Sequence, residues 1–186
     1  MRKFYIGNVT PEANTIFVFG SNPEGRHGAG AAKVARNQFG AIYGQGEGLQ
    51  GNAYALPTKD LRVKENRGLR SISKEDIIKS IKKLYETARQ YSDKQFKIAY
   101  RNTYSASLNG YTGLEMIDMF LEAGPIPDNI IFSKEWVDTG KFNLSKEELE
   151  DFSYTEGYLP LWQEWARQNP ELIEELRIKA AGKTLT

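Results

Sequence analysis

The sequence predicts an α/β sandwich built on a largely parallel sheet. Three observations support this class. Short apolar runs rich in β-formers alternate with helical patterns, and glycine-rich loops follow two of these runs. The helical segments are also long enough to serve as the crossovers that parallel strands require. The alternation ends near residue 140, which predicts a domain over 1–140 and a C-terminal helical extension over 141–186.

The first part of the chain predicts two buried strands that flank one helix. "TIFVFG" at 15–20 is apolar and β-rich, and "AYALPTKD" at 53–60 has the same character. Between them, "GAAKVARNQFG" at 30–40 has the small residues of a tightly packed helix and a terminating glycine. The basic, irregular residues 61–72 predict a surface loop.

The second part predicts two further helices and two further strands. "SKEDIIKSIKKLYETARQY" at 73–91 has one apolar stripe, and Ser73 is placed to cap the helix. "QFKIAYR" at 95–101 predicts a third strand, "LEMIDMFLEAG" at 114–124 a helix, and "NIIFS" at 129–133 a fourth strand.

The extension at 141–186 reads as helical. Ser145 and Glu148 have the spacing of a capping box. Trp162 and Trp165 lie three residues apart, on roughly one helical face. These aromatic side chains either pack against the domain, which is the favoured interpretation, or bind an external partner.

Composition excludes several classes of site. The 186 residues have a formal net charge of +1, no cysteine and one histidine. This charge gives no general attraction to nucleic acid duplexes, and the missing cysteines remove disulfide and thiolate chemistry. One histidine argues against a zinc site, so we expect neither a metal nor a bound cofactor. The N-terminal residues contain no apolar run, so we expect a cytoplasmic protein without a signal peptide or membrane span.

Three loops should meet at one crevice. Both glycine-rich loops and the "TKD" segment follow predicted strands, and ligands of open α/β sheets bind at the carboxyl ends of the strands. In the first loop, Gly28 and Gly30 allow close approach of the backbone to a phosphate at the helix N-terminus. The Walker pattern fails because it needs Gly-Lys followed by Ser or Thr, whereas Lys33 follows two alanines inside the predicted helix. The dinucleotide pattern fails because Lys33 occupies the place of its third glycine. By itself the loop fits either a ligand site or a packing turn.

Asn22 and His27, two polar residues of the first loop, each have a structural as well as a functional interpretation. Asn22 either contacts a polar ligand group or forms a local Asx-turn, and local chemistry favours the turn. His27 has no visible partner in the sequence. We therefore expect a polar surface residue there and assign it no catalytic role.

The other two loops are also open to two interpretations. "SASLNGYTG" at 105–113 either wraps phosphates with its N–H groups or is a solvent loop, and Tyr111 favours a ligand site because an aromatic ring can cover a ligand. Lys59 is either a reactive amine, a cation that faces a phosphate, or one half of an exposed pair with Asp60.

Taken in order, these loops resemble those of a macrodomain. "FVFGSN" followed by "GRHGAGAAKVARNQFG" resembles the first ligand loop of that family. "AYALPTKD" resembles the next strand of the branch that contains terminal ADP-ribose glycohydrolases and the antitoxins that remove ADP-ribose from DNA, which carries a lysine at this strand end. "SASLNGYTGLEMIDMF" resembles the second, phosphate-binding loop and its helix. The likeness covers about residues 15–136 and is greatest to uncharacterised phage and bacterial macro-like proteins.

The resemblance implies a three-layer α/β/α sandwich with a mixed, largely parallel sheet, whose crevice binds ADP-ribose or a related NAD-derived nucleotide. Lys59 matches the catalytic lysine of the branch, and its usual acid falls on Asn109, which leaves Asp60 as a substitute. Serines also stand at two positions of the second loop where the family usually has glycines. The ligand-binding residues implied by the resemblance are Gly20, Asn22, Gly28, Ala29, Gly30, Ser105, Ala106, Ser107, Leu108, Asn109, Gly110 and Tyr111.

Three functions follow. The first is removal of ADP-ribose from modified DNA or protein through Lys59. The second is a non-catalytic reader or sponge for ADP-ribose or an NAD-derived signal, with a role in phage defence by resemblance; Asn109 in place of the acid favours it. The third is an interaction module that acts through the C-terminal helices. The sequence leaves the oligomeric state open.

Overall fold

The computed structural model of the chain describes residues 3–99, 108–134 and 136. The predicted extension at 141–186 lies outside the described residues, as do the predicted ligand residues Ser105, Ala106 and Ser107. The strands of the described part are β1 (Phe4–Tyr5), β2 (Thr15–Ser21), β3 (Gly48–Gln50), β4 (Ala53–Pro57), β5 (Gln95–Ile98) and β6 (Ile130–Ser133). The helices are α1 (Gly30–Gln38), α2 (Lys74–Gln90) and α3 (Gly113–Glu122), together with a short 3-10 turn at Glu65–Gly68.

The strands form one six-stranded sheet with the order β1-β6-β5-β2-β4-β3. Neighbouring strands are parallel except for β3, which runs antiparallel to β4 at one edge. The predicted α/β class and the mixed, largely parallel sheet are therefore confirmed. Strand β2 is central, and it pairs with β4 on one side and with β5 on the other.

Helices pack on both faces of the sheet because the side chains of β2 alternate between two cores. Ile16 and Val18 belong to the larger core, which lies under α2 and α3. Phe17 and Phe19 belong to the smaller core under α1, to which the helix contributes small residues such as Ala35. Small side chains bring α1 close to the sheet, so the backbone at its N-terminus lies near the carboxyl end of β2.

Several predicted boundaries move by a few residues. The strand expected at 53–60 ends at Pro57. Of the strand expected at 95–101, Gln95–Ile98 is confirmed, and the predicted end at 100–101 lies outside the described residues. The short edge strands β1 and β3 were not predicted, because two or three residues show no periodicity. Ser73 caps α2 as expected, with its hydroxyl accepting from the Asp76 N–H at 3.2 Å.

Helix α3 begins with a capping box that the sequence analysis overlooked. The Thr112 hydroxyl accepts from the Glu115 N–H, and the Glu115 carboxylate accepts from the Thr112 N–H. Within the described ranges, no helix combines the length and the apolar character needed to cross a bilayer.

We predict that Ile81→Ala lowers the free energy of unfolding by about 2–5 kcal/mol, because it leaves a cavity in the larger core. Ile81 is fully buried between α2 and the sheet. The neighbouring Lys82 is exposed, so Lys82→Ala should change stability by no more than about 0.5 kcal/mol. Urea denaturation measures both, and equal midpoints for the two variants would contradict this packing.

Candidate functional site

A cavity of about 470 Å³ opens at the carboxyl edge of the central strands. At this position β2 and β5 are neighbours. Strands β3 and β4, which follow β2 in the chain, lie on one side of this pair, whereas β6, which follows β5, lies on the other. Open α/β sheets bind ligands at such a point. The volume of the cavity lies within the usual range for small-molecule sites. The cavity is lined by Gly20, Ser21, Asn22, Arg26, Gly28, Ala29, Gly30, Ala31, Ala32, Thr58, Lys59, Leu61, Ala99, Leu108 and Asn109.

The structure brings all three predicted loops to this cavity. Eight of the predicted ligand and catalytic residues that the structure describes line the cavity: Gly20, Asn22, Gly28, Ala29, Gly30, Lys59, Leu108 and Asn109. Asp60, Gly110 and Tyr111 do not line it. Seven described lining residues were not predicted from the sequence, since nothing in the pattern separates them from ordinary strand, loop and helix residues: Ser21, Arg26, Ala31, Ala32, Thr58, Leu61 and Ala99.

Asn22 forms a local turn rather than an open recognition group. Its Nδ2 donates to the Arg26 carbonyl at 3.0 Å, and its Oδ1 accepts from the Arg26 N–H at 2.8 Å. The Gly25 N–H also donates to the Asn22 carbonyl at 2.9 Å. The structure therefore shows a local structural role for the Asn22 side chain, but its bonds reach Arg26, four residues on, instead of the second residue that an Asx-turn uses.

The glycines of the first loop and of the turn at 44–46 that packs on it divide into two groups. Gly25 and Gly46 are packing residues, because a Cβ at Gly25 would overlap the backbone of Gln45 and a Cβ at Gly46 would overlap the backbone of Asn22. By contrast, a Cβ at Gly28 or Gly30 would meet no heavy atom within 4 Å. The second pair therefore leaves open space at the cavity wall.

His27 is buried, so the expectation of a surface residue is wrong. Its Nε2 lies 3.0 Å from the Gln45 carbonyl oxygen, and the edge of its ring faces Phe19 with centroids 5.0 Å apart. The histidine does not line the cavity. Its position beneath the loop indicates that it supports the backbone between Asn22 and Gly28.

The N-terminus of α1 has no side-chain cap. Ala29 is the N-cap residue, and no acidic side chain lies in the first turn. The first helical bond runs from the Lys33 N–H to the Ala29 carbonyl at 3.2 Å. Gly30, Ala31 and Ala32 line the cavity, so the partial positive charge of the helix N-terminus lies at its wall.

Lys59 lies on the opposite loop, just after β4. The Thr58 N–H donates to the Ser21 carbonyl at 2.9 Å, which extends the pairing with β2 to the residue before the lysine. Gly68 leaves room for the lysine, since a Cβ there would lie 3.1 Å from the Lys59 Cε. No hydrogen bond or ion pair joins the ammonium to another residue in the described part of the chain.

Asp60, the substitute acid that the resemblance leaves, is held by an arginine and does not line the cavity. The Arg62 guanidinium donates to both of its carboxylate oxygens, at 3.0 and 2.9 Å, and the Arg62 N–H donates at 2.9 Å. These bonds hold the pKa of the Asp60 carboxyl well below its usual range. Arg62 Nε also lies 3.2 Å from a Glu24 carboxylate oxygen. Both acids are therefore neutralised by one cation outside the cavity wall.

The end of the second loop is held by packing. The Asn109 side-chain oxygen accepts from the Tyr111 N–H at 2.8 Å, and its carbonyl accepts from the Arg70 N–H at 2.8 Å. A Cβ at Gly110 would lie 2.8 Å from the Arg70 nitrogen, so glycine allows this approach. Asn109 is buried, and its side chain is an amide, so it brings no carboxylate to the cavity.

Tyr111 belongs to the larger core, which removes the expected aromatic cover from the ligand site. Its hydroxyl donates to the Ile72 carbonyl at 2.7 Å, and the Arg70 guanidinium lies 4.9 Å from its ring centroid. Burial raises the pKa of the Tyr111 hydroxyl. Leu108 is the exposed apolar residue of this loop end, with 69 % of its surface accessible.

The charge balance of the cavity favours an anion. Among the described residues that line it, the basic side chains are Arg26 and Lys59, and none carries a carboxylate. In the same part of the chain, no cluster of three or more His, Cys, Asp or Glu side chains is placed to hold a metal ion. The arrangement suits recognition of phosphate by N–H groups and cations.

No protein-family model matches the chain, and no curated protein matches it at a significant level. The class of ligand is therefore inferred from the chemistry of the cavity.

We predict that Arg62→Gln raises the pKa of the Asp60 carboxyl toward its usual value of about 3.9, because the charge-assisted hydrogen bonds are lost. Arg67→Gln is a matched control, since Arg67 is an exposed arginine of the same loop. An NMR titration of the Asp60 side-chain carboxyl measures the change. An unchanged pKa in Arg62→Gln would contradict the ion pair.

Proposed function

We propose that this chain binds ADP-ribose or a related NAD-derived nucleotide in the cavity at the carboxyl edge of its sheet. The observation that carries the proposal is that the uncapped N-terminus of α1 and the cation Lys59 line one cavity. A diphosphate suits this arrangement, because N–H groups and a nearby cation together compensate its charge.

The macrodomain resemblance supports the same ligand, and the assignment of a macrodomain-type sandwich is part of the proposal. The first loop and the strand-end lysine line the cavity. Helices also pack on both faces of a mixed sheet, as in that type of sandwich. In this proposal the diphosphate lies against Gly28–Ala32, and the apolar side chains of Leu61 and Leu108 border the less polar parts of the nucleotide.

A second candidate function is removal of ADP-ribose from DNA or protein. The Lys59 ammonium favours it, because it has no hydrogen-bond or ion-pair partner among the described residues. In its neutral form, the amine would attack the anomeric carbon and form a C–N bond while the bond to the acceptor breaks. The acceptor would leave with the electron pair and gain a proton, and water would then hydrolyse the lysine adduct. Proton transfer in both steps is normally assisted by a positioned acid or base.

The non-catalytic reader is the better supported of the two functions. The described cavity wall holds no carboxylate or imidazole, since Asn109 is an amide, Asp60 is paired with Arg62 and His27 is buried beneath the loop. Binding requires none of these groups, whereas efficient hydrolysis does.

We predict that the chain binds ADP-ribose and that Gly28→Val weakens this binding at least tenfold, since the new side chain occupies space at the cavity wall. The fold should tolerate the change because a Cβ at Gly28 meets no neighbouring atom. Calorimetry with ADP-ribose, its cyclic derivatives, NAD and adenosine measures affinity, and thermal unfolding of the variant serves as the stability control. If the wild-type chain binds none of these ligands, the proposal is wrong.

We predict that Lys59→Ala and Lys59→Arg separate the reader from the hydrolase. ADP-ribosylated DNA and protein are incubated with each variant, and released ADP-ribose is measured. A hydrolase that uses the amine loses activity in both variants, because guanidinium is not a nucleophile at neutral pH. A reader releases no product even as wild type, and Lys59→Arg retains most of its affinity. Equal release by wild type and both variants would remove Lys59 from any mechanism.

A further inference from the structure

We propose that Arg26 binds an anionic group of the ligand and that Asn22 is a positioning residue which acts through Arg26. This inference rests on the proposed function. It assigns to Arg26 the preference of the same cavity for anionic ligands. It also replaces the direct Asn22–ligand contact that the macrodomain resemblance implies.

Arg26 lies in the cavity wall, and no other described residue engages its guanidinium. It lines the cavity and is exposed, and its guanidinium has no hydrogen-bond or ion-pair partner among the described residues. Other arginines near the site are engaged, since Arg62 holds Asp60 and Arg70 holds Glu115. A guanidinium with free donors at the edge of a cavity is suited to bidentate binding of phosphate.

Asn22 fixes the backbone from which this guanidinium projects. Both peptide groups of Arg26 are held by the Asn22 side chain, one through the N–H at 2.8 Å and one through the carbonyl at 3.0 Å. The amide oxygen and nitrogen of Asn22 are thus both engaged within the loop. The effect of Asn22 on a bound ligand is therefore mainly that it fixes the backbone from which the Arg26 side chain extends.

The residues on either side of Arg26 hold the backbone at residue 26 in place. Gly25 packs directly on the 44–46 turn, and the Gly44 N–H donates to its carbonyl at 2.9 Å. His27 is fully buried against Phe19. Arg26 is therefore one exposed residue between two buried ones. A side chain anchored in this way loses less conformational freedom when it binds.

Arg26→Gln tests the ligand contact. Affinities for ADP-ribose, ADP, inorganic pyrophosphate and adenosine are measured by calorimetry at low and at high salt. We expect Arg26→Gln to weaken all three anionic probes at least tenfold at low salt and to reduce the salt dependence, with adenosine unchanged. Arg26→Lys should recover part of the loss. Arg36→Gln is the matched control, because that guanidinium lies over Tyr43 outside the cavity, and it should change affinity less than twofold.

Asn22→Ala tests the positioning role when it is combined with Arg26→Gln. If Asn22 acts through Arg26, Asn22→Ala weakens ADP-ribose binding in the wild-type background and has little further effect in Arg26→Gln. Multiplicative losses in the double variant would show that Asn22 contacts the ligand itself and would overturn this assignment. Thermal unfolding of Asn22→Ala and of the double variant shows whether each keeps its fold, so that a loss of binding is not mistaken for misfolding.

The outcomes distinguish this inference from the proposed function. Equal affinities for wild type and Arg26→Gln would overturn the role of Arg26 while ADP-ribose binding stands. Arg26-dependent binding of pyrophosphate without preference for ADP-ribose would support Arg26 and contradict the proposed nucleotide. Binding of none of the four probes by the wild type would overturn both.

Discussion

The pairing of β2 on both of its edges is the constraint on which the rest of the site depends. Its parallel neighbours β4 and β5 leave no free edge, and its side chains alternate into the two cores. The carboxyl end of the strand therefore has a fixed position. The first loop starts from this end, Lys59 follows the neighbouring strand, and Ala99 follows the other neighbour at the base of the cavity.

Close packing then determines the shape of the first loop. Gly25 and Gly46 let two backbone segments approach where no side chain fits, and His27 supports the loop from the protein interior. Rigid loops lose little conformational entropy on binding, which favours affinity for a small ligand. Gly28 and Gly30, which do not take part in this packing, leave the space that a phosphate requires.

Ion pairs around the cavity decide its charge. Arg62 neutralises Asp60 and Glu24, while Arg70 and Lys74 neutralise Glu115. Burial raises the pKa of the Glu115 carboxyl, but its hydrogen bonds and the nearby cations outweigh burial and lower it overall. These acids are paired with cations, so the described wall presents an electropositive surface. Such a surface is suited to holding an anion, and among the described lining residues no carboxylate or imidazole accompanies Lys59 to assist proton transfer.

The sequence by itself determined the order of the elements and the place of the cavity. Apolar periodicity indicated β2, β4, β5, β6 and the three described helices, and parallel strands necessarily bring their carboxyl ends to one edge. Only the tertiary structure decided what the individual side chains do. Tyr111 bonds to Ile72, 39 residues away, and His27 to Gln45, 18 residues away. Because the burial and partners of a side chain depend on segments distant in the chain, local sequence could not separate the structural Tyr111, His27 and Asp60 from Arg26 and Lys59 at the cavity wall.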